Sequence, residues 1–169
     1  LIDSSVTEGI DNLSGIRANF PEWGFLSGVL AGIMTQDDRF EFSNPENVIG
    51  FAGGADSPVS RAGATGFLAG AKYINPDVEL IYTIVGSYTD PGKAKEIAMT
   101  TYGRGADIMS ANAGSSGRGV LTAAEELEKY FISTSYGMNN PKHSPATSVT
   151  RFDLFVVEAC KAVVEGRFK

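Results

Sequence analysis

The residues that usually carry catalysis or metal binding are scarce in this chain. One cysteine and one histidine among 169 residues exclude an intrachain disulfide framework and leave a metal centre or a histidine-dependent triad almost nothing to draw on. Cys160 falls in a segment whose spacing predicts an amphipathic helix with Phe152, Phe155, Val156, Ala159, Val163 and Val164 on its apolar face, so its expected role is core filler rather than nucleophile. His143 stands in the stretch N-N-P-K-H-S-P, where a lone imidazole is expected in solvent. Cations are also few. The 14 Lys and Arg against 20 Asp and Glu leave a net charge of −6, and they are scattered without a patch, so no nucleic-acid partner is expected. No apolar run is long enough to cross a membrane. An initiating methionine is missing as well; the chain opens on L-I-D, which reads as the end of a strand, and a processed chain or a fragment is the expectation.

Glycine and proline, in contrast, are frequent, at 20 and 7, and they punctuate the chain into alternating periods. Strands are expected near 15–20, at 47–52, 79–86, 106–110 and 130–134, with an extended piece near 145–150. Helices are expected at 22–35, 57–73, 91–103, 117–129 and 152–166. That order of strand and helix predicts an α/β fold with a parallel sheet covered by helices on both faces. Leu80 through Val85 is an uncharged run that reads as a strand covered on both sides. In 57–73, Val59, Ala62, Gly63, Gly66, Phe67 and Gly70 line up as one small-residue stripe, which predicts close approach to the sheet. Gly24, Gly28 and Gly32 repeat every fourth residue and likewise predict backbone contact.

Three strand exits are glycine-rich: G-F-A-G-G-A-D-S-P (50–58), G-S-Y-T-D-P (86–91) and S-A-N-A-G-S-S-G-R-G-V (110–120). None matches the dinucleotide fingerprint or a phosphate-binding loop. In a parallel sheet, however, the exits lie side by side, and a composite small-molecule site is expected there. Tyr88 is the aromatic offered at that edge; its ring either packs over the start of the next helix or faces a ligand. Asp56, Asp90 and Asp107 are the only carboxylates that suggest an acid/base set. Asp56 before Ser57-Pro58 and Asp90 before Pro91 both read first as helix N-caps. No serine stands on a nucleophile elbow. Binding without turnover is the expected behaviour.

G-F-A-G-G-A-D-S-P-V-S-R, V-G-S-Y-T-D-P-G-K-A-K-E-I-A, G-A-D-I-x₄-A-G-S-S-G-R-G-V and T-S-V-T-R-F-D, with G-F-L-S-G-V-L-A-G in the first helix, resemble the basic membrane protein family of ABC-transporter substrate-binding lipoproteins. Its best-known members are purine nucleoside receptors. The resemblance implies a periplasmic-binding-protein type I fold, of which this chain is roughly the second half: 1–38 the end of the first lobe and a crossover, 39–148 the second lobe, and 149–169 a crossover and terminal helix. It implies a small-molecule ligand, an ABC permease as partner, no cofactor, and an extracytoplasmic protein held to the membrane only by a lipid anchor upstream of Leu1. By the same resemblance Tyr88 stacks on the purine, Gly114 offers close backbone approach, Arg151 matches the family lysine, and Asp56 orders its loop. Ser135, or Thr134, stands where the family has a ribose-binding aspartate, and Gly63 stands where it has an aromatic. Two other readings compete: an enzyme acting on nucleosides or sugars, drawing on Asp56, Asp107 and His143, and a surface lipoprotein that has lost transport.

Overall fold

The computed structural model describes residues 18–135, 137–138 and 140–167. Residues 15–17 of the expected first strand, 15–20, lie outside them, and Phe20 already opens a helix. Four parallel strands follow, β1 (Val48–Gly53), β2 (Glu79–Ile84), β3 (Ala106–Asn112) and β4 (Tyr130–Ile132), in the spatial order β2-β1-β3-β4. They alternate with α1 (Phe20–Met34), α2 (Pro58–Ile74), α3 (Pro91–Gly103) and α4 (Gly117–Glu126). The extended piece near 145–150 pairs alongside β4, where Ser133 bridges Thr147 in parallel. A last helix, α5 (Phe152–Val164), closes the chain. The chain divides into two units, Phe20–Val149 and a second in which 18–19 and 150–167 are the described residues.

Strand periodicity sorts the core of the larger unit into two layers. Ile49 and Phe51 of β1, Ile108 of β3, and Tyr130 and Ile132 of β4 meet Ala31 and Met34 of α1 and Ala64, Phe67 and Ala71 of α2. The alternate residues Ala52, Met109, Ala111 and Phe131 meet Ala94 and Ala98 of α3 and Val120 and Ala124 of α4. The sheet is thus helix-covered on both faces, as the alternation predicts.

Several expectations need correction. β2 is an edge strand whose residues Leu80 to Ile84 are only half-buried; the lack of charge in that run says nothing of the strand's open side. The glycine stripe of α2 packs on α1 rather than on the sheet. A Cβ at Gly28 would run into the carbonyl of Phe67, and one at Gly70 into that of Phe25, so the two stripes interlock backbone to backbone. Gly63 is filled from outside: a Cβ there would lie 3.0 Å from the Trp23 ring and 3.2 Å from Phe51. Trp23 thus occupies the room that an aromatic at position 63 would need. His143 is buried, not solvated. Its ring stacks on Phe42 at 5.1 Å, and its Nδ1, as the protonated nitrogen, donates to the Lys129 carbonyl at 3.0 Å. Cys160 is exposed, and α5 has no buried residue: the apolar spacing is present, but the surface that would cover it is not among the described residues.

Helix starts follow local chemistry. Asp90 caps α3, accepting from the Lys93 amide at 3.0 Å with Pro91 next in line. At α2 the cap is Ser57, not Asp56: the Ser57 hydroxyl accepts from the Ser60 amide at 3.2 Å. Pro58 takes the first helical position, which leaves Asp56 one residue too early to cap.

Candidate functional site

The exits of β1, β2 and β3 are laced together by hydrogen bonds. The Gly54 amide donates to the Asn112 carbonyl at 2.8 Å, and the Val85 amide donates to Gly53 at 2.8 Å. The loop after β2 is then tied to the turn after β3. The Tyr88 carbonyl accepts from the Ser116 amide at 3.2 Å and the Ser115 hydroxyl at 3.0 Å. The Ser87 carbonyl accepts from the Ser116 hydroxyl at 3.0 Å, and that oxygen accepts from the Asp90 amide at 2.9 Å. Buried Ser116 therefore links the strand exit to the helix cap, and the Ser87 and Tyr88 carbonyls are satisfied within the protein.

Tyr88 is the large side chain these loops present, with 45% of its surface exposed. A Cβ built on Gly54 would stand equally close to Cδ1 and Cε1 of that ring and 3.0 Å from Cγ. An approach within the ring plane would leave Cγ much farther than the Cδ1–Cε1 bond, so Gly54 lies under the ring's face. Gly114 closes on the root of the same residue: it adopts a φ of +54°, and a Cβ there would meet the Tyr88 carbonyl at 3.0 Å and its Cβ at 3.3 Å. Space and backbone conformation both call for glycine at 114. The result is an aromatic platform with one face on backbone and nearly half of the side chain exposed.

The remaining expected site residues are placed less tightly. Ser135 is exposed at the exit of β4, on the same edge of the sheet; its backbone carbonyl accepts from the Ser133 hydroxyl at 2.9 Å. Its own hydroxyl has no partner among the described residues. Asp56 is exposed and held by Arg61 through two bonds of 2.7 Å; that pairing lowers the carboxyl pKa below its usual value. Asp56 is therefore engaged as an anion with α2. Arg151 belongs to the smaller unit and makes a forked pair with Asp153, with bonds of 2.8 and 2.6 Å.

The acid/base candidates Asp107 and His143 lie at the opposite end of the sheet from Asp56 and Tyr88. Asp107 is buried near the start of β3, at the far edge of the sheet from Tyr88; its Oδ2 accepts from the Asn44 amide at 2.8 Å and its Oδ1 has no hydrogen-bond partner among the described residues. Burial pushes its carboxyl up to about 6, against the opposing hydrogen bond from Asn44. His143 is packed on Phe42 beside Tyr130, which opens β4, and Asp90 is occupied as a cap. No group of three or more metal-ligating side chains occurs among the described residues, and no described helix is long and apolar enough to cross a membrane. Gly54, Ser115 and Ser116 were not singled out from sequence. The available signal was the doubled glycine at 53–54, where a turn alone needs at most one.

Residues 1–169, the whole chain, match the family described as ABC transporter substrate-binding protein, PnrA-like. Basic membrane protein D of Borreliella burgdorferi is 30% identical over 158 residues, covering 91% of this chain and 44% of that protein. The ABC transporter nucleoside-binding protein BmpA of Lactococcus lactis is 33% identical, covering 75% of this chain and 34% of that one. A solved ABC transporter solute-binding protein of Aeropyrum pernix superposes with a TM-score of 0.84 at 27% identity, over 99% of this chain and 48% of that chain. The chain thus spans less than half the length of each of these relatives.

Proposed function

Because the chain belongs to the PnrA-like family of ABC transporter substrate-binding proteins, we propose that it forms much of one lobe of a solute receptor that binds a purine nucleoside and delivers it to an ABC permease. The observation that carries this reading is the Tyr88 ring, seated on Gly54 on one face and nearly half exposed where three strand exits meet. A flat heteroaromatic ligand stacks on such a face for ~1–3 kcal/mol per base. Gly114 brings its backbone to the platform, Ser135 offers a free hydroxyl at the neighbouring exit, Arg151 reads ligand oxygens on closure, and Asp56 braces the β1–α2 loop through Arg61. In this reading residues 39–148 build the second lobe with α1 of the 1–38 segment packed onto it, 1–38 and 149–169 carry the connections to the first, and closure is a hinge motion at those connections. The receptor is extracytoplasmic, held at the membrane by a lipid anchor on the segment upstream, and it releases its ligand unchanged. The separation of Asp107 and His143 from Tyr88 favours binding over turnover.

Isothermal titration of the full-length, ligand-stripped protein with adenosine, guanosine, inosine and ribose tests the proposal. A nucleoside is expected to bind at micromolar or tighter, about −8 kcal/mol, and ribose alone far more weakly. Silence across the nucleosides would remove the purine from this reading.

A further inference from the structure

We infer that Gly54 is a positioning residue for Tyr88: its bare Cα is the seat on which one face of the ring rests, so the site stacks a ligand on the other face only. The inference rests on the reading of Tyr88 given above and extends it to a residue outside that reading. Space, not conformation, is what requires glycine here. Gly54 does not adopt the left-handed backbone seen at Gly114, so alanine fits its main chain, and the added methyl would meet the Tyr88 ring and nothing closer. The seat itself is firm, because the Gly54 amide is bonded to Asn112 at 2.8 Å and Gly53 accepts from Val85 at 2.8 Å. The main chain of Tyr88 is equally held, since its carbonyl accepts from both Ser115 and Ser116. With the backbone tied and one face resting on the seat, the ring keeps one rotamer, and a methyl at position 54 turns it out of that rotamer.

The Gly54 α-proton that points in the Cβ direction aims into the ring's face, so it carries a ring-current shift that needs no ligand to observe. In proton NMR of the full chain, one of the two Gly54 α-protons is expected far upfield of its twin, and Tyr88→Ala is expected to return it to the ordinary range. Equal shifts for the pair, or an upfield shift that survives Tyr88→Ala, would overturn the seat. With inosine as the probe, Gly54→Ala is expected to weaken binding about tenfold in the native background and less than about twofold in the Tyr88→Ala background, since two residues acting through one ring are not additive. An equal loss in both backgrounds would show that Gly54 acts independently of the ring and would overturn the inference. If Tyr88→Ala leaves inosine binding unchanged, the stacking role proposed above falls, and the proton shift alone decides on the seat.

Discussion

The two edges of the sheet use their residues in opposite ways. At the entry edge, groups with rich chemistry are built into the framework: Asp107 holds the Asn44 amide, and His143 stacks on Phe42 while bonding the Lys129 carbonyl. At the exit edge, glycines and serines without catalytic character arrange loops around one exposed tyrosine. Residue type is therefore a poor guide to role in this protein. A buried aspartate or histidine serves packing here, while the candidate site is made of backbone and a ring.

That contrast can be broken from either side. The largest effect is expected at the entry edge: His143→Ala removes a buried stacked ring and a hydrogen bond and should cost about 2–3 kcal/mol of stability in denaturant unfolding, with ligand affinity in the native fold retained. Asp107 gives a pH signature at the same edge. Its native pKa of about 6 lies above the unfolded value of about 3.9, so the folded state favours the protonated carboxyl. Its stabilising contribution is complete below about pH 4 and is lost as pH rises through about 6, a swing of about 2–3 kcal/mol by linkage. Asp107→Asn should flatten that part of the stability–pH curve; an unchanged slope would mean the carboxyl is not the titrating group. At the exit edge the sign of the contrast reverses. Tyr88→Ala should weaken nucleoside binding by ~1–3 kcal/mol with little change in melting temperature, and a large loss of stability would put Tyr88 in the framework instead. The smallest effects separate two neighbours. Ser57→Ala should destabilise by about 1 kcal/mol through the lost cap, whereas Asp56→Asn, which removes one side of an exposed ion pair, should leave the melting temperature within error.

Much of the fold was legible because local signals agree with the tertiary answer. Asp90-Pro91 marks the start of α3, and the alternating apolar residues of β1, β3 and β4 match the two core layers. What was not legible depends on partners far away in sequence. The stripe of Gly63, Gly66 and Gly70 announces close approach, but only the three-dimensional arrangement shows that α1 fills it. The 80–85 run is uncharged in both an edge and a central strand, so spacing cannot tell them apart. His143 looked solvated because its flanking prolines and asparagines suggest a loop, and the loop folds down onto Phe42. For the site, Tyr88 and Gly114 could be named from their strand-exit positions and the family resemblance. Gly54 could not, because its significance is the absence of a side chain beneath a ring thirty-four residues onward.

The chain contains a single tryptophan, and Trp23 is anchored where it is optically useful. Its indole N–H donates to the Ser148 carbonyl at 3.1 Å, and the larger unit ends one residue later, at Val149. Every photon of indole emission from this chain therefore comes from a fluorophore bonded to the main chain one residue before the larger unit ends. Loss or lengthening of that one bond will shift the emission band. The chain thus carries its own reporter for the surroundings of Ser148, readable on ligand addition without an added dye.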